Sequence, residues 1–375
     1  MRSTLLAGML LAVCLFPVGN AAHAQAAQTA AAFEQRFQAW EAQYEQALQL
    51  HLRGVASSGQ PRDLYAAALL WPSGANTAPS PDSTRPAPAA LDERSVWMQA
   101  AIDARPRDPL IARFEAMGCP GYSVQCDVAG ALAFLQREAP ENLDVQLLAF
   151  IDAQQRGDAK ASAKAWRAAA DAARYDTMRI ELGGLLADAL ADLPVPPSDP
   201  QLRDGMARTD WPAAFDARAW PMMTASQVLW TSPLSANLGV VARHCSTAQT
   251  RDDRDRWDDC KSVFALMARD GSDLIGRMIG VGFMARLTAG TPQALPWHEQ
   301  KRQLQWLQTE SARYMPPATD DIAPDTYLGW QLRDGEIVAM QRLLEAYHRP
   351  LTAPAGWQQP GPVQSATREA LSGSR

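Results

Sequence analysis

The chain lacks a basic excess, long apolar runs and the short catalytic motifs, and each absence narrows its class. Acids outnumber bases, 41 to 35, for a net charge of −6. Such a balance leaves no basic patch for nucleic acid, and that partner class is set aside. Lysine is nearly missing, with Lys160, Lys164, Lys261 and Lys301 alone, and arginine carries the positive charge. After residue 18 no apolar run approaches the about 20 residues that a membrane span needs. No useful stretch alternates apolar and polar residues, so strands are not expected. A Gly-x-Ser-x-Gly elbow and a Ser-x-x-Lys pair are both absent, and no serine stands out as a nucleophile. His298-Glu299 opens like a zinc motif, but Arg302 stands where the second histidine belongs. These two residues read as a solvated helix start. Asp252, Asp253, Asp255, Asp258 and Asp259 suggest calcium. They lack the central glycine and terminal glutamate of that loop, and Arg251, Arg254 and Arg256 interleave with them. The cluster reads as a charged, exposed hairpin tip. No catalytic, cofactor-binding or metal-ligating residue is assigned, and no cofactor is implied.

What is present begins with an export leader. Arg2 supplies the charge, Leu5 to Val18 the apolar core, and Ala22-His23-Ala24 the small-x-small cleavage pattern. Cleavage after Ala24 would leave Gln25 as the mature N-terminus. Cys14 is no lipid-attachment site on this reading, because Val13 precedes it and the apolar run continues beyond it. The mature chain is then exported, periplasmic or secreted, without a transmembrane segment, and one charge unit more negative for the loss of Arg2.

Removal of Cys14 with the leader leaves Cys119, Cys126, Cys245 and Cys260. An even number in an exported chain reads as disulfides. Cys119 and Cys126 flank Pro120-Gly121, a pair that favours a tight turn. Cys245 and Cys260 are equidistant from a point between Asp252 and Asp253. A helical hairpin whose tip is Thr250 to Asp253 would set them level, since equal counts give equal heights. The expected pairing is 119–126 and 245–260. A zinc site fits less well, because neither pair has the short ligand spacing and only His244 is nearby.

Helical periodicity dominates the rest. Phe33, Phe37, Trp40, Tyr44, Leu48 and Leu52 step by three or four residues along one stripe, ended by Gly54 and Gly59. Leu64, Ala68 and Trp71 continue after Pro61. The Pro-rich run 72–90 cannot be helical and is read as a flexible linker. A second Pro-rich break covers 193–200. Leu238–His244, Arg254–Ala268, Asp273–Leu287, Leu295–Tyr314 and Thr326–Tyr347 are the expected C-terminal helices, with a turn at Asp270-Gly271. Residues 351–375 read as a disordered tail. The organisation is thus 1–24 leader, 25–71 N-terminal helices, 72–90 linker, 91–192 helical repeats, 193–350 C-terminal helical region and 351–375 tail.

A 34-residue offset runs through the middle. Pro106 and Pro140 share it, as do Ala131 and Ala165, and Tyr175-Asp176 falls where a third unit would start. Asp108 and Asn142 follow the two prolines as helix N-caps. From Pro140 to Tyr175, Leu143, Leu147, Leu148 and Ile151 face inward on one helix. Gly157-Asp158 makes the turn, and Ala161, Ala165, Trp166 and Ala169 pack on the next. The period and pattern resemble the tetratricopeptide repeat over about two units, without the Leu-Gly-x-x-Tyr signature. The chain also resembles exported helical proteins of Gram-negative bacteria, which implies a location and no activity. The tetratricopeptide resemblance implies an all-α fold of antiparallel helical hairpins stacked as a short solenoid, here stapled by two disulfides.

Twelve tryptophans remain to be placed. Trp40, Trp97, Trp166 and Trp306 sit at apolar positions of helices and read as core. Trp211, Trp220, Trp230 and Trp357 lie in less regular segments and are the candidates for a binding surface. The leading reading is a periplasmic scaffold or module that holds a protein or peptide in a groove. The alternatives are a helical enzyme that cleaves envelope glycan through an Asp/Glu pair, and a structural protein without a ligand. Peptide mapping of the native protein without reductant should recover the linked pairs Cys119–Cys126 and Cys245–Cys260. A Cys119–Cys245 peptide, or free thiols at 245 and 260, would refute the hairpin placement.

Overall fold

Residues 33 to 52 form one amphipathic stripe, and the helix that carries it runs well beyond them. In a computed structural model of the protein, α1 spans Gly19–Ala56. The structure describes residues 19–72, 92–198, 200, 202, 217–232, 238–250, 252–271, 273–315 and 322–359. The leader core, most of the linker and Trp211 therefore lie outside the described residues. On α1, Trp40, Tyr44, Leu48 and Leu52 are buried at every fourth position, while the residues between them are mostly exposed. Pro61 then starts α2, Pro61–Leu70, at a position where a missing N–H is harmless.

Short acidic or amide side chains start the next helices. These are α3 (Glu93–Asp103), α4 (Pro109–Ala116), α5 (Val128–Glu138), α6 (Leu143–Gln155) and α7 (Ala159–Ala170). Asp92, Asp108, Asp127, Asn142 and Asp158 each accept a hydrogen bond from an otherwise unpaired N–H of the first turn. Asp108 and Asn142 therefore cap as the 34-residue spacing expects. Then come α8 (Arg179–Ala189), α9 (Trp220–Thr231), α10 (Leu238–His244) and the short α11 (Thr247–Thr250). The chain continues with α12 (Arg254–Asp270), α13 (Leu274–Leu287), α14 (Ala294–Ser311), α15 (Pro324–Asp334) and α16 (Glu336–Ala346). Among the described residues there is no strand, only an isolated bridge between Asn142 and Arg174. The protein is all-α.

Sequence neighbours pack as hairpins: α2 on α3, α4 on α5, α6 on α7 and α12 on α13. The last pair is close because Gly280 has no side chain. A Cβ there would strike the backbone of Phe264 and Ala268. Long-range packing then folds the second half onto the first. Helices α8 and α9 both lie against α15, α2 lies against α8, and α7 against α12. One apolar core consequently runs from Trp40 on α1 to Leu332 on α15.

Three expectations need correction. Thr326–Tyr347 is not one helix: it breaks at Gly335, whose φ of 90° and ψ of 161° belong to neither helix nor ordinary strand. Only glycine enters that region readily, and Leu332 and Ala339, seven residues apart on either side, keep helical phase across the break. The first arm of the Cys245 hairpin is also broken. Helix α10 ends at His244, and Cys245 lies in the bend before α11. The expected cysteine pairs nonetheless stand at disulfide distance, with Cα separations of 6.3 Å for Cys119 and Cys126 and 5.8 Å for Cys245 and Cys260. Finally, residues 351–359 of the segment read as a tail are docked, with Gln359 accepting from Gln305 at 2.6 Å, and residues 360–375 lie outside the described residues. The Trp306 indole N–H donates to the Pro350 carbonyl at 3.1 Å, and Trp357 meets the Trp306 ring edge-on at 5.4 Å.

Between α4 and α6 lies a buried ion pair. Arg113 and Asp144 are 2% and 1% exposed, and the guanidinium donates twice, at 2.7 and 3.1 Å. Removing one partner strands the other charge away from water. Asp144→Ala should lower unfolding stability by roughly 3 to 5 kcal/mol. A urea melt decides it, and a loss below about 1 kcal/mol would show that the pair is dispensable.

Candidate functional site

The helix period places Glu41, Tyr44, Glu45 and Leu48 on one face of α1, three or four residues apart. That face forms one wall of an open cleft of about 830 Å³. The end of α2 supplies Trp71, and α9 supplies Trp220, Thr224, Gln227 and Trp230. Pro120, Gly121 and Tyr122, from the turn between Cys119 and Cys126, close one side.

Packing fixes the inner rings. Trp220 lies edge-on to Phe37, Trp40 and Tyr44, with centroids 5.9, 5.3 and 6.0 Å away. The Trp40 indole N–H donates to the Pro196 carbonyl at 3.0 Å. The Tyr44 and Thr224 hydroxyls hydrogen-bond at 3.0 Å and tie α1 to α9. Burial pushes the Tyr44 phenol up to about 12, opposed only by that bond, so it stays protonated. The Tyr122 hydroxyl donates to the Ala68 carbonyl at 3.0 Å, and its ring meets Phe114 edge-on.

Arginines of the chain hold three of the rings at the rim. Arg53 lies 5.2 Å from the Trp71 ring, Arg94 3.9 Å from Tyr122 and Arg179 4.5 Å from Trp230. Two of these cations are anchored in turn, Arg53 by Glu93 at 2.9 Å and Arg179 by Glu336 at 3.2 Å. Such stacks restrict ring motion and preorganise the surface. Trp230 remains 46% exposed.

Glu41 is half-buried and Glu45 exposed. Burial raises the Glu41 carboxyl above its ordinary value, and the charges of Glu45 and Glu34 add to the shift. One turn apart on a helix, the two residues have Cβ atoms about 5 to 6 Å from each other. They project from the same wall, so the cleft offers stacking surface and negative charge from a single side.

Of the tryptophans expected at a binding surface, Trp220 and Trp230 line this cleft. Trp357 does not, because it packs on Trp306. Of the expected core residues, Trp40, Trp166 and Trp306 are buried and Trp97 is partly so. Cys119 and Cys126 hold the cleft-side turn, whereas Cys245 and Cys260 are in the core around α12. Sequence reading missed Glu41, Glu45, Trp71 and Tyr122. The helical phase of Glu41, Glu45 and Trp71 was visible but the helix that would face them was not, and Tyr122 lies in a turn without periodicity. At the acidic tip, Asp253 caps α12, and Asp258 pairs with Arg254 and Lys261. Glu299 pairs with Arg302 beside it. Among the described residues, no three His, Cys, Asp or Glu side chains are close enough to hold a metal ion.

No protein-family model matches the chain, and neither the curated proteins nor the solved structures include a significant match.

The His244 imidazole is held well below its ordinary pKa. Its ring lies 5.0 Å from Phe150 and 4.4 Å from Trp166, and Nε2 is buried without a hydrogen-bond partner. Burial, with Arg256 adding to it and Asp253 opposing, lowers its pKa to about 4. The unfolded chain takes up this proton near pH 6.5, so between about 6.5 and 4 it binds a proton that the folded chain refuses. Stability is therefore lost as pH falls through that window. Unfolding free energies from urea melts at about pH 7.5 and 4.5 should differ less in His244→Phe than in the parent, by roughly 1 to 2 kcal/mol. Equal pH dependence in the two proteins would contradict the burial argument.

Proposed function

We propose that the protein is an exported helical scaffold that binds a segment of another protein, or a peptide, in the cleft between α1, α2 and α9. One observation carries the reading. The cleft is open and its rings are fixed by packing and by the chain's own arginines before any ligand arrives. Preorganised aromatic surface is what peptide-binding grooves use to limit the entropy lost on association.

The export assignment rests on the leader pattern, with cleavage after Ala24. Two cysteine pairs at disulfide distance fit an oxidising compartment. Among the described residues, no helix is long and apolar enough to cross a membrane. The tetratricopeptide-like reading of 91–192 is supported by the hairpins α4–α5 and α6–α7, by the packing of α5 on α6, and by capping at Asp108 and Asn142.

Glycan cleavage draws on the same cleft, since Glu41 is raised beside Glu45 among tryptophans. Glycoside hydrolysis, however, needs one carboxyl group on each side of the scissile bond. Glu41 and Glu45 share one face of one helix, and this geometry favours binding over cleavage.

Selection from a displayed peptide library against the full chain tests the proposal. Selected peptides should bind in the range of about 1 to 100 µM. Trp230→Ala, at an exposed ring, should weaken them by about tenfold without loss of helical circular dichroism. Failure to select any peptide tighter than about 1 mM, or binding indifferent to Trp230→Ala, refutes it.

A further inference from the structure

We infer that the side chain seated against α1 in this cleft is cationic, an arginine or lysine of the bound segment, held by Glu41 and Glu45 and flanked by the cleft's rings. The inference rests on the peptide-binding reading above and names the chemistry that the cleft selects.

Charge supplies the first argument. Glu41 and Glu45 line the cleft, and among the described residues neither makes an ion pair or hydrogen bond with another side chain. A carboxylate partly withdrawn from water, with two like charges on its own helix, lacks compensation. The Glu41 carboxyl is accordingly raised. A bound cation relieves both the desolvation and the repulsion. The nearby arginines do not serve: Arg53 and Arg179 are committed to Glu93 and Glu336, and Arg94 lies on Tyr122.

The rings supply the second argument. Trp71, Tyr122 and Trp230 line the cleft with aromatic surface against which the stem of such a side chain can pack. Leu48 and Val228 add apolar wall for the aliphatic stem of a lysine or arginine. The whole chain, at net −6, attracts a basic partner over longer range. An acidic segment would face the like charges of Glu41 and Glu45 on the α1 wall. A neutral segment would leave Glu41 as uncompensated as before.

The test uses the full mature chain and three short, end-blocked peptides of one apolar sequence, carrying arginine, glutamine or glutamate at the same positions. Calorimetric titration should show the arginine peptide binding about tenfold tighter than the glutamine peptide, and the glutamate peptide weakest. The preference should shrink as salt rises. Glu41→Gln with Glu45→Gln should abolish the preference, bringing the arginine and glutamine peptides to within about twofold of each other. Trp230→Ala should weaken all the peptides alike, which marks the cleft as the site. Equal affinities that remain sensitive to Trp230→Ala would overturn the charge assignment and leave the binding reading standing. A preference that survives the double glutamine variant would overturn it too. Binding that emerges only after deletion of residues 73–90 would also overturn it, since the occupant would then be the chain's own segment. If none of the peptides binds, both readings fall.

Discussion

Arg113 on α4 and Asp144 on α6 meet through two hydrogen bonds where water is almost excluded. Neither charge is tolerable there alone, so each fixes where the other's helix must lie. The constraint spreads through the helix starts. The Asp144 N–H donates to the side chain of Asn142, the cap of α6. The same amide donates to the Asp176 carbonyl and accepts from the Asp176 N–H, two residues before the cap of α8. A backbone bond from the Leu143 N–H to the Arg174 carbonyl runs alongside. The last turn of α4 and the starts of α6 and α8 are thus held in fixed relation by Arg113, Asp144 and Asn142. Tyr65 from α2 and Tyr175 pack near the pair, and burial raises both phenols well above their ordinary range.

The cleft inherits this order. Helix α8 is set by the polar chain at its start, and it packs on α2, α9 and α15. Helix α9 in turn carries Trp220 and Trp230 to the face of α1. Arg179, at the first position of α8, joins the two regions: it pairs with Glu336 on α16 and stacks on Trp230. Glu336 also accepts the N–H of Leu274 at the start of α13. One arginine therefore couples the C-terminal helices to the rim of the cleft, although nothing nearby in sequence announces that role.

Helix existence was legible because it depends on local patterns. The stripe from Phe33 to Leu52, the caps Asp108 and Asn142 and the span Leu238–His244 all appear as the residues suggest. The break at Gly335 was not legible, because flanking apolar positions kept helical phase across it. The docking of 351–359 was hidden for a different reason. Its Pro and Gln content promises little burial by itself, and the contact is made by Trp306, far away in sequence. The cysteine pairing was legible from the turn at Pro120-Gly121 and from symmetry about Asp252–Asp253. The symmetry argument succeeded even though its first arm bends at Cys245, since the constraint lies in the separation rather than in helix continuity.

By itself, then, the sequence determined what depends on neighbours along the chain: an all-α protein, its caps, most helix spans, the buried faces and the cysteine partners. Tertiary structure alone decided which faces meet. Glu41 and Glu45 look like ordinary solvated positions of an amphipathic helix until α9 lies beside them. Trp220 and Trp230 looked available for binding, but only the fold separates them from Trp357, which is half-buried against Trp306. A cleft is made by surfaces distant in sequence, and helical periodicity states which face is apolar without stating what will cover it.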